Sequence, residues 1–218
     1  MMGRLTELAQ EHHVLLSGSL LAVLKDDRAA AARYLAHRGH WVHADVIEGS
    51  FRGQPGLSLA ELEPLAPVAK VLDIHLMVDD PVETIKNLPI IPRRLTVQLR
   101  NLASAPEILR LARALSCEIW IAVEELAPGD IDALKALDLD GVLVMLTPPG
   151  SAGHIADLDR LNSVRAANNA DLSVGVDGGV NAENLPTTAS AGIRYAVSGR
   201  AFFQELRQEL PHVGSVTT

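Results

Sequence analysis

The sequence holds a single cysteine, Cys117, which excludes a disulfide framework and a thiolate metal site and makes a reducing compartment the expectation. It is poor in basic residues: 19 Lys and Arg stand against 27 Asp and Glu, the formal net charge is −8, and no basic stripe occurs. A nucleic-acid partner is therefore not expected. A phosphorylated small molecule stays admissible, because backbone N–H groups bind phosphate without positive side chains. The opening Met1-Met2-Gly3-Arg4-Leu5-Thr6-Glu7 lacks the apolar centre of a signal peptide, and no membrane-spanning run is legible. A soluble, cytoplasmic protein with no membrane partner is expected. Low-complexity segments and linkers are also missing, and no G-x-G-x-x-G follows the first strand-like run.

What is present is a regular alternation. With 218 residues and 48% hydrophobic content, the chain can fold as one domain, 1–218, around a full core. Strand-like runs occur at 14–20, 41–47, 71–77, 95–99, 118–123, 141–146, 172–177 and 193–197. Helix-like runs separate them: 28–37 closed by Gly39, a segment opened by Ser58 with Glu61 at the capping-box position, and a helix started by Asp80-Pro81. Further helices are expected at about 105–115, 131–137, 155–168, 181–190 and 200–210, with the tail after Pro211 loosely held. Strands that alternate with helices pair in parallel through right-handed crossovers. Eight such units favour a closed (β/α)8 TIM barrel over an open doubly wound sheet.

Polar residues interrupt three of the apolar strands. His43 and Asp45 lie two apart in Trp41-Val42-His43-Ala44-Asp45-Val46-Ile47-Glu48-Gly49, so a strand points both to one face. His75 lies in Val71-Leu72-Asp73-Ile74-His75-Leu76-Met77, and Asp177 ends Leu172-Ser173-Val174-Gly175-Val176-Asp177. Buried imidazoles and carboxylates are costly unless paired or metal-bound. All four fall near strand C-termini, where a barrel of this kind builds its active site. His43, Asp45, His75 and Asp177 form a mixed N/O set suited to one divalent ion, Zn, Fe, Mn or Co. Asp73 has two open readings: a partner that orients a ligand imidazole, or a buried carboxylate satisfied by backbone groups. Phosphate is the second theme. Gly178-Gly179-Val180-Asn181 and Ser198-Gly199-Arg200 lead into helices after strands seven and eight, the usual phosphate site of such barrels. Gly150-Ser151-Ala152-Gly153-His154 after strand six can supply a third wall or a lid.

From about Leu16 to Phe203 these motifs resemble the ribulose-phosphate 3-epimerase family. The resemblance rests on Ser17-Gly18-Ser19-Leu20-Leu21, His43-Ala44-Asp45-Val46-Ile47-Glu48-Gly49-Ser50-Phe51, Asp73-Ile74-His75-Leu76-Met77-Val78, Asp177-Gly178-Gly179-Val180-Asn181 and Ser198-Gly199-Arg200-Ala201-Phe202-Phe203. The sister decarboxylases of the superfamily use Asp-x-Lys-x-x-Asp, and Ile47 stands at the lysine position. The resemblance implies epimerisation at C3 of a ketose phosphate through a cis-enediolate. It implies metal ligation by His43, Asp45, His75 and Asp177, with Asp45 and Asp177 as the acid/base pair. Ser19 matches a serine near the substrate. Met77 and Met145 match methionines that line the intermediate, and core filling explains them equally well. A phosphorylated sugar is the expected substrate and a homo-oligomer the expected assembly.

The chain departs from the family pattern in four places. Ile47-Glu48-Gly49 replaces Met-Asp-Gly, and Thr96-Val97-Gln98 replaces Thr-Val-His. Glu124-Glu125-Leu126 replaces the Asn-Pro after strand five, and Pro148-Pro149-Gly150-Ser151-Ala152-Gly153-His154 replaces Asn-Pro-Gly-Phe-Gly-Gly-Gln. Catalytic type is therefore better marked than substrate identity. The competing expectations are an isomerase or epimerase of another phosphorylated sugar and a non-catalytic barrel.

Overall fold

A computed structural model describes residues 3–51, 56–127, 129–149 and 154–207. Its strands are β1 Leu15–Ser19, β2 Trp41–Ile47, β3 Leu72–Met77, β4 Arg94–Gln98, β5 Glu118–Val123, β6 Gly141–Met145, β7 Val174–Asp177 and β8 Tyr195–Ser198. They close in chain order into one barrel, each parallel to its neighbours. The fold is the (β/α)8 barrel that the alternation implied. Helices α1 Arg4–Glu11, α2 Arg28–His37, α3 Leu59–Leu62, α4 Pro81–Lys86, α5 Ala105–Ala114, α6 Asp130–Lys135, α7 Leu161–Asn169, α8 Leu185–Ser190 and α9 Arg200–Leu206 accompany the strands. No described helix is long and apolar enough to cross a membrane.

Side chains alternate across each strand, so every strand contributes to two environments. Val42, Ala44 and Val46 of β2, with Leu72, Ile74 and Leu76 of β3, join the aliphatic core shared with the helices. The alternate residues fill the barrel interior, and they are mostly polar or aromatic. At the end where the strands begin, the Arg94 guanidinium lies 3.9 Å from the Trp120 ring centroid and 4.5 Å from those of Trp41 and Tyr195. It also donates to Glu118 Oε2 at 3.1 Å through both Nε and Nη2. Stacking and charge pairing together make this buried cation tolerable. Trp120 and Tyr195 are 4% and 1% exposed, so the barrel has a plugged floor.

Several boundaries differ from expectation, each for a local reason. Glu61 accepts from the Ser58 N–H at 3.1 Å as the sequence suggested, but α3 is brief. Pro64 and Pro67 turn the continuation Glu63–Val71 into a 3-10 segment. Helix α7 starts later than 155, because the Asp157 N–H is bound to the Leu146 carbonyl at 2.8 Å and Asp157 caps a 3-10 turn at Leu158–Arg160. Asn181 accepts from the N–H groups of Glu183 and Asn184, which makes a turn of 181–184 before α8. Helix α1 was not anticipated. Its Leu5 N–H is capped by the Glu205 carboxylate, 2.9 Å and 3.0 Å from the two oxygens, and Leu5, Leu8 and Ala9 are buried. The tail after Pro211 lies outside the described residues.

Gly141 and Gly175 make room for the floor. A Cβ at Gly141 would stand 2.5 Å from Trp120 Cε2, and one at Gly175 2.9 Å from Tyr195 Cδ1. Gly141→Ala should overpack the floor and cost about 1–3 kcal/mol, measured as a lower urea midpoint at unchanged slope.

Candidate active site

The register of β2 and β3 sets the core of the site: His43 pairs with Asp73 and Asp45 with His75, while Met145 of β6 pairs with Asp177 of β7. One ligand atom from each of His43, Asp45, His75 and Asp177 lies within 4.8 Å of all the others. His43 Nε2 is 3.1 Å from Asp45 Oδ1 and 3.7 Å from Asp177 Oδ2. His75 Nδ1 is 3.2 Å from Asp45 Oδ1 and 3.8 Å from Asp177 Oδ2. Both histidine side chains are fully buried, whereas Asp177 keeps 14% of its side chain exposed and is the member of the four most open to solvent.

Asp73 is met by side chains rather than by backbone groups. It is fully buried, and its carboxylate faces His43 Nδ1 at 3.2 Å while accepting from Thr96 Oγ1 at 2.9 Å and Tyr195 OH at 3.1 Å. Arg94 Nη1 stands 3.9 Å away. An Nδ1–H directed at Asp73 leaves His43 Nε2 turned to the cluster, the arrangement by which a carboxylate orients a metal-binding imidazole. Gln98 Nε2 lies 2.6 Å from His75 Nε2, and Ser19 Oγ donates to Asp45 Oδ2 at 3.2 Å.

Burial and charge pull the ionisable groups apart. Burial alone would raise Asp45, but the His43 and His75 imidazoles outweigh it and hold this carboxyl far below the usual range. Burial dominates at Asp177 and, with the Asp45 carboxylate, pushes it up to about 6 against the pull of the two imidazoles. Burial would lower His43, yet Asp45 and Asp73 raise it well above an ordinary histidine. Asp73 stays below the usual range against burial, through His43, Arg94 and Thr96.

The four residues can hold a metal ion. Two imidazoles and two carboxylates are a fitting N/O set for a divalent ion. The buried His75 Nδ1 has no hydrogen-bond partner among the described residues, as suits an atom whose lone pair serves a cation. Binding would displace the proton that the cluster otherwise stabilises on His43.

The other predicted residues that the structure describes lie at or just after the ends of barrel strands. Met77 and Met145 are 2% and 3% exposed, and Met145 packs with Trp120, Leu143 and Tyr195 inside the barrel. Gly178 and Gly179 adopt φ +108° and +67°, and a Cβ at Gly178 would stand 2.9 Å from the Thr147 backbone nitrogen. Glycine is therefore required at this turn. Ser198 Oγ donates to the Val180 carbonyl at 2.7 Å, which binds the β7 and β8 turns side by side. Gly199 precedes α9, and Arg200 is exposed. Gly150 and Gly153 lie outside the described residues. At the rim, Asp79 accepts from the Ser50 N–H at 2.9 Å and from Arg100 at 2.9 Å, and Arg100 covers the Phe51 ring. Arg160 donates to the Met145 carbonyl at 2.8 Å and reaches Glu124 at 3.2 Å. The roles of Arg94, Gln98 and Tyr195 were not read from the sequence. The two-residue spacing of Arg94, Thr96 and Gln98 was the available signal, since it puts three polar groups on one face of an apolar strand.

The elevated Asp177 has a measurable consequence. Its folded pKa of about 6 lies above the ordinary 3.8, so the unfolded chain releases this proton first and the group's stabilisation falls as pH rises from about 4 to about 6. In the presence of chelator, Asp177→Asn should lack that component and gain on the parent by at most about 3 kcal/mol across the window, read from urea denaturation at each pH.

Comparison with known proteins identifies the family. The ribulose-phosphate 3 epimerase family matches over residues 15–203. A ribulose-phosphate 3-epimerase of Treponema pallidum is 29% identical over 211 residues, covering 88% of this chain and 93% of the relative. Ribulose-phosphate 3-epimerase 1 of Cupriavidus necator is 30% identical over 184 residues, 74% of this chain and 72% of that protein. Among solved structures, 3-keto-L-gulonate-6-phosphate decarboxylase of Vibrio cholerae superposes with a TM-score of 0.66 at 14% identity, over 92% of this chain and 99% of the other, a likeness of fold alone. With the match running from the first barrel strand to the last helix, the chain belongs to the ribulose-phosphate 3-epimerase family.

Proposed function

We propose that the protein is a metal-dependent epimerase acting at C3 of a ketose phosphate, the D-ribulose 5-phosphate/D-xylulose 5-phosphate pair or a close analogue, through a cis-enediolate. The observation that carries this reading is the convergence of His43, Asp45, His75 and Asp177 within 4.8 Å at the barrel mouth. The names of the relatives support the substrate class.

A divalent cation held by these four residues would polarise the C2 carbonyl and offset the negative charge of the enediolate. The proton work belongs to the chain. Epimerisation needs one carboxyl group ionised and the other protonated at the same pH. In the metal-free cluster Asp45 is held far below the carboxylate range and Asp177 is pushed up to about 6, so the two carboxyl groups stand in unequal environments and can divide the work of base and acid. Asp45 takes the C3 proton, Asp177 returns one to the other face, and the reverse reaction begins from the exchanged states. Ser19 steadies the Asp45 carboxylate from β1. Met77 and Met145 bound the apolar side of the site. The phosphate is bound by the backbone of Gly178-Gly179 and Ser198-Gly199, which the Ser198–Val180 hydrogen bond keeps adjacent, with Arg200 beside them.

Turnover in D₂O should place deuterium at C3, and Asp45→Asn and Asp177→Asn should each lose at least ~10² in rate with the fold retained. Product without deuterium, or full activity in either variant, would sink the two-carboxylate mechanism. His75→Ala should lose bound metal, by elemental analysis, together with activity. A panel of pentulose and hexulose phosphates decides between the pentulose pair and another phosphorylated sugar.

A further inference from the structure

The two buried histidines turn different nitrogens to the cluster. His43 presents Nε2 and keeps Nδ1 on Asp73, whereas His75 presents Nδ1 and keeps Nε2 on Gln98. A neutral imidazole has one nitrogen that donates and one that accepts, and the partner of one fixes the state of the other. His43 has a carboxylate behind it, which can only accept when ionised, so its tautomer is determined. His75 has a carboxamide behind it, which can present either oxygen or NH₂ by a half-turn of its terminal group.

One distance and one chemical requirement bear on the half-turn. The 2.6 Å separation between His75 Nε2 and the Gln98 amide atom is short even for N–H···O, whose usual range begins at about 2.7 Å. Nitrogen is larger than oxygen, so an N–H···N contact fits that gap less well. His75 Nδ1 is buried 3.2 Å from Asp45 Oδ1 without a well-formed hydrogen bond, and an imidazole that binds a cation there must present a lone pair rather than a proton. Both points favour an amide oxygen that accepts from His75 Nε2–H.

We propose that Gln98 is a positioning residue: its carboxamide oxygen holds the proton of His75 on Nε2 and so reserves Nδ1 for a divalent cation. The inference rests on the metal-dependent reading above and adds to it a residue that acts through a ligand imidazole. Gln98 is 6% exposed, and its side chain reaches from β4 to the His75 ring of β3. An amide does not ionise, so this support keeps its orientation where a titrating group would change role with pH.

The test compares Gln98→Glu with Gln98→Met. Ionised Glu can only accept from Nε2–H, and Met keeps the length of the side chain but offers only a weak acceptor. Affinity for Zn²⁺ is measured by competition with a chromophoric chelator, with circular dichroism to verify the fold. The Met variant should bind about 10–100-fold more weakly, the range for losing the partner behind a ligand imidazole, while the Glu variant retains the parent's affinity or exceeds it. Equal affinity in the Met variant, or equal loss in both, overturns the assignment, because a residue that only fills space would not separate them. An arm without variants is the ¹⁵N spectrum of the histidine rings in the parent: His75 should carry its proton on Nε2, and a proton on Nδ1 overturns the proposal. A parent that takes up no Zn²⁺ fails before any variant is made, which defeats the metal-dependent reading itself and this inference with it.

Discussion

A carboxylate with no exposed surface stands at the middle of the barrel interior, and four strands meet on it. Asp73 of β3 faces His43 of β2, accepts from Thr96 of β4 and Tyr195 of β8, and has the Arg94 guanidinium beside it. A buried charge is tolerable only when its lone pairs are occupied in this way, and removal of one member of such a set is strongly destabilising. Because its partners come from strands on both sides, Asp73 also fixes their mutual register. The orientation of His43 follows from that group.

The same strands serve two physical regimes. Their outward residues are aliphatic and pack with the helices at no electrostatic cost, which stabilises the barrel irrespective of its contents. Their inward residues are ordered by height: aromatic rings around Arg94 at the floor, the Asp73–His43 pair above it, then Asp45, His75, Gln98 and Asp177 at the mouth. Packing holds the cage, and hydrogen bonding selects the arrangement inside it. This separation permits an unstable collection of buried charges to be kept without loss of the fold.

Much of this was legible in the sequence, and the division is physical. Apolar strands in alternation with helices announced the barrel, since the outward faces need only be aliphatic. His43 and Asp45 were legible because two polar residues of one parity in an apolar strand ask for a partner. Asp73 was undecided because its partners include Tyr195, 122 positions away, and only strand order brings them together. Gln98 was visible merely as a residue type, since its meaning depends on His75 across a neighbouring strand. Helix α1 was missed for the same reason: the Glu205 carboxylate that caps it lies 200 residues on. Local pattern carries periodicity and parity. Contacts between distant strands carry the rest.

Among the described residues, the plugged floor leaves the mouth as the open end of the barrel. Trp120 and Tyr195 around Arg94 close the end where the strands begin, and at the other end Asp177 is the most exposed of the four clustered side chains. Arrival and departure at such a blind-ended chamber are sequential. A molecule seated over the four side chains is also the lid on whatever lies beneath it, and while it stays, nothing below can exchange with the surrounding solution.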